Sequence, residues 1–152
     1  MYHLRQAEPL TIENQENYFI NTVAALFEQE QPNQILFSYL RDDECIGYGG
    51  LVHINWIDRN SEISFVLDTE LEDFFFEMHW NKFLNILEEI AFQYLEIHKL
   101  TTYAFDLRPH LYDILELNGY TKEAVLKEHS YFNNKYISVV IHSKINKYGH
   151  RT

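Results

Sequence analysis

Three glycines fall inside one apolar run, at Gly47, Gly49 and Gly50. Glycine weakens a strand, so its presence there needs a cause: a bulge, or the close approach of another backbone or of a ligand. The turn residues Asp58, Arg59 and Asn60 come next. A second run then alternates, with Ile63, Phe65 and Leu67 on one side and Ser64 and Val66 on the other. The acids Asp68, Glu70, Glu72, Asp73 and Glu77 crowd the start of the next helical pattern, where they complement a helix dipole. Arg108 and His110 bring positive charge to a later loop, and Arg108 reads equally as a surface cation or as a ligand for an acidic group. The histidines are dispersed and argue for no metal, although spacing does not exclude one. Cys45 is the only cysteine, which rules out an internal disulfide and any cysteine-based zinc site.

These residues need elements to hold them. Thr11 caps a helix expected to reach residue 30, with Phe19, Val23, Leu26 and Phe27 on one face. Strands are expected at residues 35–40, 45–56 and 62–67. The longest helix covers residues 72–97, with a stripe of Phe76, Trp80, Phe83, Leu87, Ala91 and Tyr94. A strand at 100–105 and a short helix ending at Asn118-Gly119 come next. Two strands, 122–132 and 136–143, are joined by Asn133-Asn134 in a tight hairpin. The early strands pair antiparallel, and the strand after the long helix returns parallel to the one before it. The fold class is α/β, a mixed central sheet with helices on both faces, in a single domain over residues 1–152.

The 152 residues carry 23 acidic and 12 basic side chains, a net charge of −11. That field repels phosphate backbones and anionic lipid, so nucleic-acid and membrane-surface partners are not expected. The apolar runs are too short to span a bilayer, and the first residues lack a signal pattern. A cytoplasmic protein is expected.

Three segments together resemble the GNAT superfamily of acetyl-CoA-dependent N-acetyltransferases. The likeness is to the branch of ribosomal-protein N-terminal and amino-sugar acetyltransferases. CIGYGGLVHINWIDRNSEISFVL is similar to that branch's pair of central strands. LEEIAFQYLEIHKLTTYAFDLRPHLYDILELNGY is similar to its helix, strand and helix. TKEAVLKEHSYFNNKYISVVIHSKI is similar to its closing hairpin. The likeness spans residues 36–145 and implies a GNAT-like sheet.

The resemblance also assigns roles. Glu62 matches an acid that opens toward the acceptor and is the candidate general base; otherwise it is an ordinary exposed acid after a turn. His53 on the neighbouring strand either assists Glu62 or is a core histidine. The backbone of Ser64, Phe65, Val66 and Leu67 would pair with the pantetheine arm of acetyl-CoA, the implied co-substrate. His129 matches a histidine of the family's hairpin, with no role derived. The family's glycine-rich pyrophosphate loop is replaced by DTELEDFFFEMHW, which has no glycine. Losing two charge-assisted hydrogen bonds there costs about 3 kcal/mol, roughly a hundredfold in affinity. In the short helix, the family's Asn falls on Arg108, its small residue on Leu111 and its acid Tyr on Leu115. Tyr112, one turn away, is the substitute acid or a half-buried tyrosine, and Arg108 is a candidate cofactor contact.

Two functions are open. One is N-acetyl transfer to a small amine, such as an amino sugar, or to a protein N-terminus. The other is a GNAT-fold module for binding or assembly, without catalysis. The resemblance further implies a chain shortened by a first strand and helix, leaving residues 35–40 as an open edge. A fold-back of residues 2–5, a missing partner segment or a homodimer would cover it, and the homodimer is expected.

Overall fold

The computed structural model describes residues 11–147, the side chains of residues 72–74 excepted. The N-terminal helix starts at α1 (Ile12–Tyr18), capped as expected by Thr11, whose hydroxyl accepts from the Asn14 amide at 3.1 Å. It widens to a π turn over Phe19–Val23 and ends with α2 (Ala24–Leu26), short of residue 30. Three strands come after it: β1 (Ile35–Arg41), β2 (Glu44–Asn55) and β3 (Asn60–Leu67). After α3 (Thr69–Glu89) come β4 (Lys99–Phe105), α4 (Leu111–Leu117), β5 (Thr121–Phe132) and β6 (Lys135–Ile145).

The six strands lie in the order β1-β2-β3-β4-β6-β5. β3 and β4 are parallel and every other pair is antiparallel, the mixed sheet read from the sequence. Among the described residues β1 is an outer strand. The fold-back of residues 2–5, one of the three ways to cover the edge, lies outside them. Asn133 and Asn134 both take positive φ, 49° and 60°, as a two-residue hairpin turn demands. Gly119, at φ 82°, closes α4: its amide and that of Tyr120 return to the carbonyls of Glu116 and Leu115.

The long helix differs from expectation at both ends. It begins at Thr69, because the Asp68 carboxylate caps it by accepting from the Glu70 amide at 2.9 Å. Its last turn, Ile90–Tyr94, is π-helical. A wider turn shifts the helical register from Ile90 on, so Phe92 turns into the core while Tyr94, assigned to the apolar stripe, is 72% exposed. The rest of the stripe is as read. Trp80, Phe83, Leu87 and Ala91 are buried against the sheet with Leu51, Ile63 and Leu100. Phe65 binds strand to helix, its ring stacked 4.3 Å from that of Phe83 and 5.7 Å from that of Trp80. Burial of each such ring contributes about 2 kcal/mol.

Candidate active site

The geometry of the site comes from unequal pairing. β3 has eight residues and β4 has seven, yet only three pairs join them: Asn60 with Lys99, Ser61 with Leu100 and Glu62 with Thr101. Beyond Glu62 the two strands part. β3 stays with β2, which it pairs from Gly47–Leu67 back to Val52–Glu62. β4 stays with β6 through seven pairs, Lys99–Ile145 to Phe105–Val139. The result is a cleft in the middle of the sheet, with its apex at Glu62 and Thr101. Along residues 63–67, alternate backbone N–H and C=O groups of β3 face this cleft rather than a strand. Ser64, Phe65, Val66 and Leu67, the candidate contacts of the pantetheine arm, lie along this edge.

Side-chain alternation sorts the two faces. Ser61, Ile63, Phe65 and Leu67 turn to α3 and α4, as the burial of Ser61, Ile63 and Leu67 and the stacking of Phe65 require. Glu62, Ser64 and Val66 turn to the other face, as do Thr101, Tyr103 and Phe105 on β4. On that second face the cleft is flanked by aromatic rings. Tyr103 meets Phe105 at 5.7 Å and His129 of β5 at 6.1 Å, both edge to face. Across the cleft Tyr48, the register partner of Val66, meets Phe19 of the N-terminal helix at 5.8 Å. β5 is irregular between Leu126 and Ser130, with Glu128 at φ 49°, and this irregularity brings His129 against Tyr103. Sequence reasoning does not single out Tyr48, Tyr103 or Phe105. Their signal is the period of two in the strands on either side of the cleft, usable only once the register is known.

His53 is not a core histidine. It is exposed, at φ 53°, in the irregular stretch of β2 between Val52 and Asn55. Val52 is the register partner of Glu62, so His53 is near the cleft's apex along the chain.

On the first face, α3 leaves the end of β3 and α4 comes after the end of β4, so their starts flank the mouth of the cleft. Two contacts cross between them. The Arg108 guanidinium lies over the Phe76 ring, 4.6 Å from its centroid, and His110 Nε2 is 3.7 Å from a Glu77 carboxylate oxygen. Tyr112 is half-buried. Its hydroxyl donates to Asp106 Oδ1 at 3.1 Å, and its ring lies 4.9 Å from that of His142 on β6, one strand beyond β4. Burial, then the charge and hydrogen bond of Asp106, push the phenol far above its ordinary pKa. Leu115 is buried in the core. Among the described residues no cluster of histidine, cysteine and carboxylate side chains is set to hold a metal. No helix there is long and apolar enough to cross a membrane.

The sequence profile of the acetyltransferase (GNAT) domain matches residues 2–141, and the chain belongs to that family. Among solved structures it is similar to a spermidine N-acetyltransferase from Vibrio cholerae in complex with CoA and spermine. The TM-score is 0.78 at 18% identity, over 93% of this chain and 79% of that one. A dodecameric structure of the enzyme from that organism, in an intermediate state, gives 0.76 at 21% identity over 95% and 81%. A probable acetyltransferase gives 0.72 at 20% identity over 87% and 73%. At these identities the likeness is one of fold. No curated protein matches the chain.

The residues present fit acetyl-CoA in part. The open edge at 63–67 suits the two amides of a pantetheine arm. The start of α3 suits a pyrophosphate poorly: Asp68 already takes the Glu70 amide, and Asp68 and Glu70 add negative charge.

Proposed function

We propose that this chain transfers an acetyl group from acetyl-CoA to the amine of a small, cationic molecule. The parting of β3 from β4 beyond Glu62 is the observation that carries the reading. Acetyl-CoA, when bound, supplies the activated acetyl thioester. Residues 63–67 hold its arm by backbone hydrogen bonds, which depend on no side chain. Arg108, lifted from Phe76, supplies the positive charge that the start of α3 lacks. Glu62, at the apex and on the acceptor face, takes the proton that the amine nitrogen must lose as it bonds to the acetyl carbon. Tyr112 is tied to Asp106, so it gives a proton to the departing thiolate only by leaving that partner.

The acceptor side supports an amine. Aromatic faces at Tyr48, Tyr103 and Phe105 attract an ammonium group, Glu62 complements it, and a chain at −11 steers cations inward. The Vibrio cholerae structure holding spermine makes polyamines the first acceptors to try, with amino sugars and a protein N-terminus next.

A homodimer paired along the β1 edge is part of the proposal. It is supported by the outer position of β1 and by the apolar Leu36, Phe37 and Leu40 it carries. A cytoplasmic location is also part of it, consistent with Cys45 as a free, exposed thiol.

The acidic start of α3 favours a second reading, a module of this fold without turnover. Calorimetry with acetyl-CoA, and then release of free thiol over a panel of polyamines and amino sugars, separates the two. Thiol release that depends on an amine establishes the transferase. Binding without release, or no binding, establishes the module.

A further inference from the structure

On the first face, away from the cleft, a groove of about 570 Å³ lies between β1 and the outer side of α3. β1 is two strands from β3, so this groove is separated from the cleft by the width of β2 and by α3 itself. Its walls are apolar. Leu40 comes from the strand and Phe75, Met78 and Ile86 from the helix, each about half exposed. The spacing of the helix residues, three and then eight, sets them along one stripe.

Among the described residues two cations also line it, Arg41 and Lys82, and no acidic residue does. Among the described residues neither cation has an ion-pair partner, in a chain where acids outnumber bases 23 to 12. The acids nearest Arg41 along the chain, Asp42, Asp43 and Glu44, belong to the β1–β2 turn and its exit, and those nearest Lys82, Glu77 and Glu88, meet His110 and Lys144. The groove also has a fixed polar point. His79 is 4% exposed, and its Nδ1 is 3.0 Å from the Tyr39 hydroxyl. Burial, then Lys82, then Arg41 hold this imidazole below its ordinary pKa.

An apolar trough lined by two cations and a histidine is chemically specific. A neutral hydrocarbon would leave the cations unused, and a bare inorganic anion would leave the apolar walls wet. We propose that this groove is a second binding site, for an amphipathic monocarboxylate. Its apolar body lies along Leu40, Met78 and Ile86, and its carboxylate sits between Arg41 and Lys82 beside His79. The site is independent of acetyl transfer.

The test uses the full chain with octanoate as probe, and acetate and octan-1-ol as its two halves. Titration calorimetry is read alongside the proton resonances of the His79 ring. Octanoate binds at least about tenfold more tightly than either half, and Arg41→Gln with Lys82→Gln lowers its affinity by about tenfold or more. With octanoate bound, His79 titrates at higher pH, since an anion offsets both cations. Equal binding of octanoate and octan-1-ol overturns the proposal, as does an affinity unchanged by the double substitution. Sedimentation supplies the remaining arm. A dimer that the double substitution dissociates, in a protein that binds no octanoate, would make the groove a contact between two copies and overturn the ligand.

Discussion

Gly49→Ala tests how the cleft is built. Gly49 sits in β2 between Phe37 of β1 and Phe65 of β3. A methyl group there would lie 2.3 Å from the Ser64 carbonyl oxygen, 2.8 Å from the Phe65 Cα and 3.0 Å from the edge of the Phe83 ring. Ordinary contact begins near 3.4 Å, so β3 must retreat by about 1 Å. Two of the three obstacles are backbone, which no rotamer change relieves. Away from β2, β3 meets β4 only as far as Glu62, so residues 63–67 give way into the cleft. One added methyl in a tight core costs about 1–3 kcal/mol, and a backbone obstacle puts this change near 3. For a chain of this length that is a fall in Tm of about 6–12 °C. Affinity for acetyl-CoA should fall as well, because the strand edge that meets the pantetheine arm has moved. Thermal unfolding monitored by circular dichroism, with calorimetry on the folded variant, measures both. A Tm within about 2 °C of the parent would refute the steric reasoning. A lowered Tm with unchanged acetyl-CoA affinity would refute the assignment of residues 63–67.

Replacing Glu62 by Gln should lower kcat by about 10²–10⁴-fold while acetyl-CoA still binds, and a variant with full rate from about pH 6 to 9 would remove Glu62 from the mechanism. Arg108→Ala should weaken CoA about tenfold and leave S-acetylpantetheine, which has no pyrophosphate, unaffected; equal loss for both donors would contradict a phosphate contact. His79 and His142 are both held below their ordinary pKa, each chiefly by burial, so the unfolded chain binds more protons than the native one as pH drops. Their contribution is fully present above about pH 6.5 and is lost as pH falls from there toward the native values. Urea titrations at pH 7 and pH 5 should show that loss, and it should shrink in His142→Gln if the reasoning holds. Light scattering at about 10 μM should report a dimer; a monomer whose β1 amides exchange slowly would place the edge's cover within the chain itself.

Much of the fold is legible in the sequence because its signals are local. Asn133-Asn134 and Asn118-Gly119 each demand left-handed backbone, and both turns are where the sequence puts them. Val, Ile and Phe at alternate positions mark the strands. The π turn at Ile90–Tyr94 is not legible, since nothing in IAFQY distinguishes it from an α turn, and the error it causes at Tyr94 is one of phase. The sequence places the start of α3 three residues late, because Asp68 reads as one more acid in a cluster and not as the cap. The site is legible only along one strand. Glu62 and residues 64–67 lie in a single segment, whereas Tyr48, Tyr103 and His129 come together through pairings far apart in sequence. Tyr112 stands out in the sequence by its distance along the helix from the family's acid position. The structure turns its hydroxyl to Asp106.

What holds the cleft open is more informative than what lines it. β3 is bound on one side to β2 and, through Phe65, to the Phe83 and Trp80 rings of α3. β4 is bound to β6 over its full length, and the Asp106 amide continues that pairing to the Ser138 carbonyl at 3.0 Å. Each strand is therefore tied to a different partner, and the gap between them is the consequence. A donor held by backbone in such a gap tolerates wide change in sequence, because any side chains that keep the two ties keep the edge. A pyrophosphate end would have no such protection, because its contacts would depend on which residues begin α3 and α4: here Asp68 and Glu70 at one and Arg108 before the other. The two ends of the donor site thus obey different constraints. S-acetylpantetheine and acetyl-CoA, compared as donors, read them separately.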